Sequence, residues 1–454
     1  MASIQKRNNK YAVIYSYLDY QGKKRQKWET CDTYAEAKRR KTDIESEQQH
    51  GTFVPPSTQT LEEYMKLFIE LYGVKNWSLS TYKNNSSVIY NYINPIIGHL
   101  KIQEITPLII EKYYKELGKT KTVSNKHHVS NALISTGTIN RIHKLLKCAF
   151  SSAVNWGLLS TNVFEKVKPP KHVYKKREIW TSDMIIKALD ACEDPKVAIA
   201  IHLSFACSLR LGEILGLQWK NVFISEQDIE NDNAHINVTC QLEEVSIDAL
   251  QSLDKKDVLF EFPYTIQKND RKTLTVLKTP KTQSSIRKIW LPKTLALILQ
   301  AWKEEQEKYK EFFQDEYYDY DLVVCFEDGR PCHHSIIRNG LNRIIKETDL
   351  PEIVIHSLRH SSTTYKLKLN HGDIKATQGD TGHSQADMIT EVYSHILDED
   401  RKVNAQRFEK SFYLQSGEGI DHQKEVKKEV DIDALVNALK QDPTLLNQLI
   451  NALQ

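Results

Sequence analysis

The run VAIAIHLSFACSLRLGEILGLQW occupies residues 197–219 and begins with an almost wholly apolar stretch. This start predicts a buried helix that ends near Ala206 and delivers Arg210 to the following turn. Glu213 comes three residues after Arg210, so the two side chains are within reach of an ion pair. An Arg-x-x-Glu pair by itself is most often an exposed ion pair, and its meaning depends on the rest of the chain.

Three later segments carry side chains that can act on a phosphate. They are LKTPKTQSSIRKIWLP at 277–292, with Lys281 after a proline turn and before a β-like run; IHSLRHSSTT at 355–364, with His356 and Arg359; and TGHSQADMITEVYSH at 381–395, with His383 ten residues before Tyr393. His356 and Arg359 are three residues apart, which places them on one side of a helix. Each segment alone is a weak signal, whereas their combination and order are specific.

In this order the four segments resemble the tyrosine recombinase (phage integrase) family, over roughly residues 60–410. The overall pattern is most similar to integrases of Gram-positive prophages and conjugative transposons. One departure lies before His383, where Asp380 and Thr381 replace the apolar pair that is usual in the family.

The resemblance implies a site-specific recombinase that cuts and rejoins DNA through a 3′-phosphotyrosine intermediate, without a metal, a nucleotide or any other cofactor. It implies these catalytic residues: Arg210 and Arg359 as the phosphate clamp, Tyr393 as nucleophile, His356 as acid/base partner, His383 as a hydrogen-bond donor to the phosphate, and Lys281 as acid for the leaving 5′ oxygen. Lys278 and Lys288 stay open as alternatives to Lys281. Glu213 is interpreted as structural, orienting Arg210 or tying helices together.

The net charge of +3 conceals a strongly uneven distribution. Residues 119–177 contain 12 Lys or Arg against one acid, Glu165, so the remainder of the chain sums to about −8. Such basic regions in an otherwise acidic chain favour a polyanionic partner, most simply double-stranded DNA. The predicted DNA-binding residues are Lys23, Lys24 and Arg25 in one basic cluster, and Arg141, Lys144 and Lys147 in another.

The second cluster lies on a predicted amphipathic helix at 139–150. Its apolar face consists of Ile139, Ile142, Leu145, Leu146, Ala149 and Phe150. The opposite face is expected to present Asn140, Arg141, His143, Lys144 and Lys147.

The predicted fold class is multidomain and mainly α with α+β parts. The expected domains are an N-terminal arm-type DNA-binding domain of β-strands and one helix at 1–56, a helical core-binding domain at 59–168, a basic linker at 169–177, a mixed α/β catalytic domain at 178–414, and a helical tail at 415–454. Residues 224–280 are expected to form extended strands with an acidic, irregular insertion.

Composition excludes several other classes of protein. No stretch approaches the roughly 20 apolar residues of a membrane-spanning helix, and no apolar signal region follows the first residues. Seven scattered cysteines without a CxxC pair indicate neither a disulfide framework nor a structural zinc site. The expected location is the cytoplasm of a bacterial host cell, in association with DNA.

The resemblance also implies assembly partners. A homotetramer is expected on DNA carrying core and arm sites, formed from a chain that is monomeric when free, with DNA-bending or excision proteins as accessory factors. Two alternatives remain open: a type IB topoisomerase-like enzyme that relaxes DNA, and a catalytically silent DNA-binding regulator.

Overall fold

The computed structural model describes residues 2–18, 22–125, 128–172, 178–264, 271–370 and 373–381 of the 454. Contacts divide the chain into two compact units, Met1–Ser361 and Ser362–Gln454. The residues predicted as His383 and Tyr393 of the active site, and the predicted tail at 415–454, lie outside the described residues.

The N-terminal module pairs a small antiparallel sheet with one helix. Its elements are β1 (Ser3–Arg7), β2 (Lys10–Leu18), β3 (Lys24–Cys31) and α1 (Tyr34–Gln49), with sheet order β1-β2-β3. Strands β2 and β3 and the cap of α1 by Thr33, whose side chain accepts from the Glu36 amide, agree with the sequence pattern. Strand β1 was not predicted. It pairs antiparallel with β2, and Ile4 lies opposite Val13 in that pairing.

The next module is built from amphipathic helices. Its helices are α2 (Leu61–Phe68), α3 (Val74–Asn76), α4 (Leu79–Val88), α5 (Asn94–Ile97), α6 (Pro107–Leu117) and α7 (Thr136–Asn155), with π-helical turns at Ile69–Gly73 and Ile89–Ile93. Thr60 and Glu63 form a capping box at the start of α2. The apolar spacing i, i+3, i+4, i+7 of the sequence predicts one inward face for this helix, and that face, Leu61, Tyr64, Met65 and Phe68, is fully buried.

One part of this module corrects the expectation of helices throughout 59–168. Strands β4 (Lys121–Asn125) and β5 (His128–Leu133) form an antiparallel hairpin between α6 and α7. The segment is rich in Thr, Val and Ser, which suit a pleated ribbon better than a helix.

The larger mixed region contains two separate three-stranded antiparallel sheets, ordered β11-β7-β6 and β8-β10-β9. Its elements are α8 (Ser182–Asp190), α9 (Pro195–Ala206), α10 (Leu211–Leu215), β6 (Val222–Phe223), α11 (Glu226–Glu230), β7 (His235–Val238), β8 (Gln241–Ser246), α12 (Ile247–Ser252), β9 (Val258–Glu261), β10 (Thr273–Lys278), β11 (Arg287–Trp290), α13 (Lys293–Phe313), α14 (His334–Thr348), α15 (Ile355–Leu369) and α16 (Ile374–Thr381). The predicted fold class, mainly α with α+β parts, is confirmed.

The second sheet, with α12, forms an insertion that packs against the helical module. Val245 and Leu250 of this insertion share a buried apolar cluster with Leu79 of α4. The Tyr82 hydroxyl of α4 lies 3.0 Å from the Ser252 hydroxyl. The strands expected at 224–280 are therefore present, together with two short helices, α11 and α12, that were not predicted.

Within the described residues, no helix combines the length and the apolar character that crossing a membrane requires. All seven cysteines lie in the described part of the chain and are free thiols.

Candidate active site

Helix α9 positions the first arginine. It is buried along most of its length and ends at Ala206, with Cys207 as its C-cap, after which Ser208 takes a left-handed backbone conformation with φ of 53°. This sharp turn places Arg210 at the N-cap of α10. The sequence prediction of a buried helix delivering Arg210 to a turn is confirmed.

Glu213 holds Arg210 through two contacts. One carboxylate oxygen lies 2.6 Å from Nη1 of Arg210, and the other accepts the Arg210 amide at 3.0 Å. Burial alone would raise the pKa of Glu213, but the charges of Arg287 and Arg210 outweigh it and lower that pKa below its usual range. Glu213 is thus an ionised, buried anchor for Arg210.

Helix α10 reaches this position because Gly216 allows close packing against β8. A Cβ atom at Gly216 would lie 2.6 Å from the backbone nitrogen of Leu242. Any larger residue would therefore push the short helix, and Arg210 with it, away from the strand.

Arg359, on α15, lies in the same cluster as Arg210 and Glu213. Its side chain is fully buried, and its Nη1 donates to the carbonyl of Ser208. Burial, followed by the positive charges of Arg210 and Arg287, lowers the pKa of Arg359 to about 9, while Glu213 opposes the shift. The guanidinium is still charged at neutral pH, beside the charges of Arg210, Arg287 and Glu213.

His356 lies one helical turn before Arg359 and is exposed. Its ring packs edge-on against that of His360, with centroids 4.7 Å apart. The helix thus combines a buried guanidinium with a solvent-accessible imidazole.

Lys281 lies in the connection between β10 and β11. These strands belong to different sheets, so the connection is not the simple hairpin that the proline turn suggests. Ser285, in a 3₁₀ turn of the same connection, lies 3.4 Å from Nη1 of Arg210. The loop that carries Lys281 therefore adjoins the arginine cluster, with the Lys281 side chain exposed.

The two alternative lysines have other roles in the structure. Lys278 is buried, with its ammonium 2.5 Å from Glu243. Lys288 is exposed, with its ammonium 4.8 Å from the centre of the Trp290 ring. Of the three, Lys281 is the one whose side chain is exposed on the loop that adjoins the arginine cluster.

Arg287, at the start of β11, was not among the predicted site residues. Its Nη2 lies 3.1 Å from the second carboxylate oxygen of Glu213, and its side chain is only 6% exposed. A signal was present in the sequence: Arg287 and Ile289 alternate with exposed residues, and an inward-facing arginine requires an anionic partner.

The predicted DNA-binding residues are exposed. Lys23, Lys24 and Arg25 lie at and before the start of β3, and Arg141, Lys144 and Lys147 share one face of α7.

His143 corrects the prediction for the polar face of α7. Its ring is buried, and Nδ1 lies 2.6 Å from the hydroxyl of Tyr114. Burial, aided by Lys147, lowers the pKa of His143. His143 is therefore a neutral core residue at physiological pH and adds no charge to the basic face.

The chain is similar to known recombination proteins in sequence and fold. Residues 60–118 match the family described as phage integrase, N-terminal SAM-like domain. The ICEBs1 integrase of Bacillus subtilis is 26% identical over 66% of this chain and 73% of its own length, and a XerC-like tyrosine recombinase of Caldanaerobacter subterraneus is 25% identical over 69% and 73%. The Tn1549 transposon integrase, solved in complex with a circular intermediate DNA, shares the fold with a TM-score of 0.56 at 18% identity, covering 77% of this chain and 100% of that one. In sequence and fold the chain is thus similar to the tyrosine recombinases (phage integrases), enzymes that cut and rejoin DNA strands.

Proposed function

We propose that this recombinase integrates and excises a mobile element, using Tyr393 as the nucleophile and the cluster of Arg210 and Arg359 as the phosphate site. The observation that carries the proposal is the convergence of three guanidinium groups on the buried carboxylate of Glu213: Arg210 and Arg287 contact it, and Arg359 lies within range of all three charges. The names of the similar proteins, which include the ICEBs1 integrase, the integrase of Staphylococcus phage L54a and transposase A from transposon Tn554, support a mobile element as substrate.

The phosphate site follows from the chemistry of guanidinium groups. They remain charged at working pH and match phosphate oxygens with paired hydrogen bonds. Arg210 and Arg359 bind the non-bridging oxygens of the scissile phosphate and stabilise the charge that develops on the pentacoordinate phosphorus.

The cleavage step exchanges one ester bond for another. The Tyr393 oxygen forms a bond to phosphorus while the bond from phosphorus to the 5′ oxygen breaks, leaving a 3′-phosphotyrosine and a free 5′-hydroxyl. Because roughly one phenol in a thousand is ionised at pH 7, the tyrosine proton needs an acceptor, the role proposed for His356. Lys281 donates the proton to the 5′ oxygen, and His383 donates a hydrogen bond to the phosphate.

The modules receive roles in DNA binding. Residues 59–168, with the basic face of α7, and the catalytic domain at 178–414 form the two halves of a clamp around the core site, joined by the basic segment 169–177. Residues 1–56 bind a separate arm site.

Strand exchange between two duplexes requires four protomers. We therefore propose a tetramer on DNA, formed from a chain that is monomeric when free, with DNA-bending or excision proteins as accessory partners. We propose that the reaction takes place on DNA in the bacterial cytoplasm.

The test compares Tyr393→Phe with a matched control, Tyr413→Phe. On a half-site with a nicked top strand, the wild type and Tyr413→Phe should accumulate a protein–DNA adduct on denaturing gels. Tyr393→Phe should bind the half-site with similar affinity and form none, because it lacks the nucleophilic oxygen. An adduct from Tyr393→Phe would overturn the assignment. Relaxation of plasmids lacking recombination sites, at a rate equal to that on cognate DNA, would favour a topoisomerase instead.

A further inference from the structure

Arg287 is joined to the proposed phosphate site at two points. Its Nη2 contacts Glu213 at 3.1 Å, and its Nη1 donates to the Ser285 carbonyl at 3.0 Å. The Ser285 hydroxyl in turn lies 3.4 Å from Arg210. Arg287 therefore braces both the carboxylate that holds Arg210 and the turn that follows Lys281.

Burial separates the two arginines that share Glu213. The side chains of Arg287 and Glu213 are 6% and 1% exposed, whereas that of Arg210 is 35% exposed. Arg210 can meet a ligand from solvent. Arg287 lies behind Glu213, and in strand β11 its backbone is paired with Val238 of β7.

The charges explain why a second arginine is useful there. A buried carboxylate with a single cation forms a tight neutral pair, and a phosphate would have to compete with it for that cation. When two guanidinium groups share the carboxylate, each retains part of its positive charge. Arg210 is then both held in place and still attractive to an anion.

We propose that Arg287 is a positioning residue for DNA cleavage, acting through Glu213 to keep Arg210 oriented and charged toward the scissile phosphate. The inference rests on the proposed function and adds a residue to it. Arg287 itself does not contact DNA.

The test measures single-turnover cleavage of the nicked half-site at saturating protein, alongside DNA affinity and thermal unfolding. Arg287→Met should slow cleavage by about tenfold or more while the Kd for DNA changes less than about threefold, because only the interaction with the reacting phosphate is impaired. Arg287→Lys keeps the charge beside Glu213 and should stay within about threefold of the wild-type rate. Arg330→Met, which removes an arginine paired with Asp328, is the matched control and should cleave like the wild type.

A double-mutant cycle separates action through Glu213 from a general structural role. In a Glu213→Gln background no buried carboxylate competes for Arg210, so adding Arg287→Met should change the rate by less than about threefold. An equal slowing by Arg287→Met in both backgrounds would overturn the proposal, as would a wild-type rate for Arg287→Met.

Arg287→Lys and the wild-type protein provide two further comparisons. If Arg287→Met does not fold, Arg287→Lys decides: a folded Lys variant slowed more than about tenfold contradicts the proposal, and one near the wild-type rate supports it. Absence of cleavage by the wild type would instead refute the proposed function.

Discussion

Arg359 is the most deeply buried of the three arginines around Glu213. It is a fully buried cation whose described surroundings include two further guanidinium groups and one carboxylate. Placing such a charge out of water is costly unless an anion compensates it. In the proposed phosphate site, the oxygens of a phosphodiester or of sulfate would supply such an anion.

Sulfate should therefore stabilise the DNA-free protein through Arg359. An anion that binds only the folded state raises the melting temperature, and the rise should be smaller in Arg359→Met. Melting temperatures in sodium sulfate and in sodium chloride of equal ionic strength provide the measurement. Equal sulfate effects in the two proteins would show that Arg359 is not part of an anion site.

The same effect should depend on pH. With a folded-state pKa of about 9, Arg359 is fully charged below that pH and loses its charge as pH rises through it. The extra stabilisation by sulfate in the wild type should be present at pH 7 and decline above pH 9.

At this scale the sequence predicted some contacts and missed others. The pairing of Arg210 with Glu213 follows from a spacing of three residues, which is a local geometry. The contact of Arg287 with Glu213 spans 74 residues and depends on how β11 is placed beside α10. No local pattern encodes such a placement.

Helix α7 divides sharply into an apolar and a basic face. The predicted inward residues, from Ile139 to Phe150, are buried, while Arg141, Lys144 and Lys147 are exposed. His143 was assigned to the exposed face because its side chain is polar. In the structure its ring is buried and contacts the hydroxyl of the core residue Tyr114.

Replacing Arg141, Lys144 and Lys147 by Gln should flatten the salt dependence of DNA binding. Each phosphate contact contributes a slope of about −0.9 to log affinity against log salt, so losing three should reduce the slope by roughly 2.7. Fluorescence anisotropy across a salt series measures it. Gln at the exposed Lys303, Lys308 and Lys346 is the charge-matched control, and an equal effect of both triple variants would contradict a specific role for α7.

Gly216→Ala tests whether the close packing of α10 on β8 positions Arg210. The added Cβ meets backbone atoms that cannot move aside, so we expect a loss of about 1–3 kcal/mol in the free energy of unfolding and slower cleavage. Gly118→Ala, where the nearest atom would be at 3.6 Å, is the control and should be nearly neutral. Urea denaturation distinguishes the two, and an unchanged Gly216→Ala protein would refute the packing argument.

Element types were predicted best where periodicity was long. Helices α2, α6 and α7 agree with their apolar spacing, and α9 agrees with its continuous apolar run. The hairpin of β4 and β5 and the short helices α11 and α12 were missed, because runs of five or six residues carry too little periodicity to outweigh their neighbours.

In the whole molecule, the insertion of β8–β10 and α12 connects the two parts of the proposed clamp. Leu250 of the insertion packs with Leu79 of α4, and Lys256 donates to the Lys75 carbonyl at 3.1 Å. Strand β8 also packs against α10, which carries Glu213. The insertion thus contacts the helical module on one side and, through β8, the helix that carries Glu213 on the other.

Leu250→Ala should loosen α4 as well as the insertion. Removing a buried leucine costs about 2–5 kcal/mol, and here part of that loss falls on a contact between modules. Hydrogen exchange of peptides covering α4 should become faster in this variant. Leu259→Ala, at a 57% exposed position of the same sheet, is the control. Unchanged exchange in α4 would show that the insertion does not support the helical module.

The order of modules could be predicted from charge and from the spacing of the four motifs. The docking of the insertion on α4 could not, because it joins apolar residues more than 150 positions apart, such as Leu79 and Val245. Sequence patterns reveal which faces are apolar, and the partner of each face is decided only when the chain is folded.

The central claim is that Tyr393 forms the covalent bond to DNA, and mass spectrometry of the trapped adduct tests it most directly. After nuclease and trypsin digestion, the nucleotide remnant should be attached to the peptide spanning residues 376–401, in which Tyr393 is the one tyrosine. A remnant on any other peptide, or a wild-type protein that forms no adduct with its cognate half-site, would contradict the account.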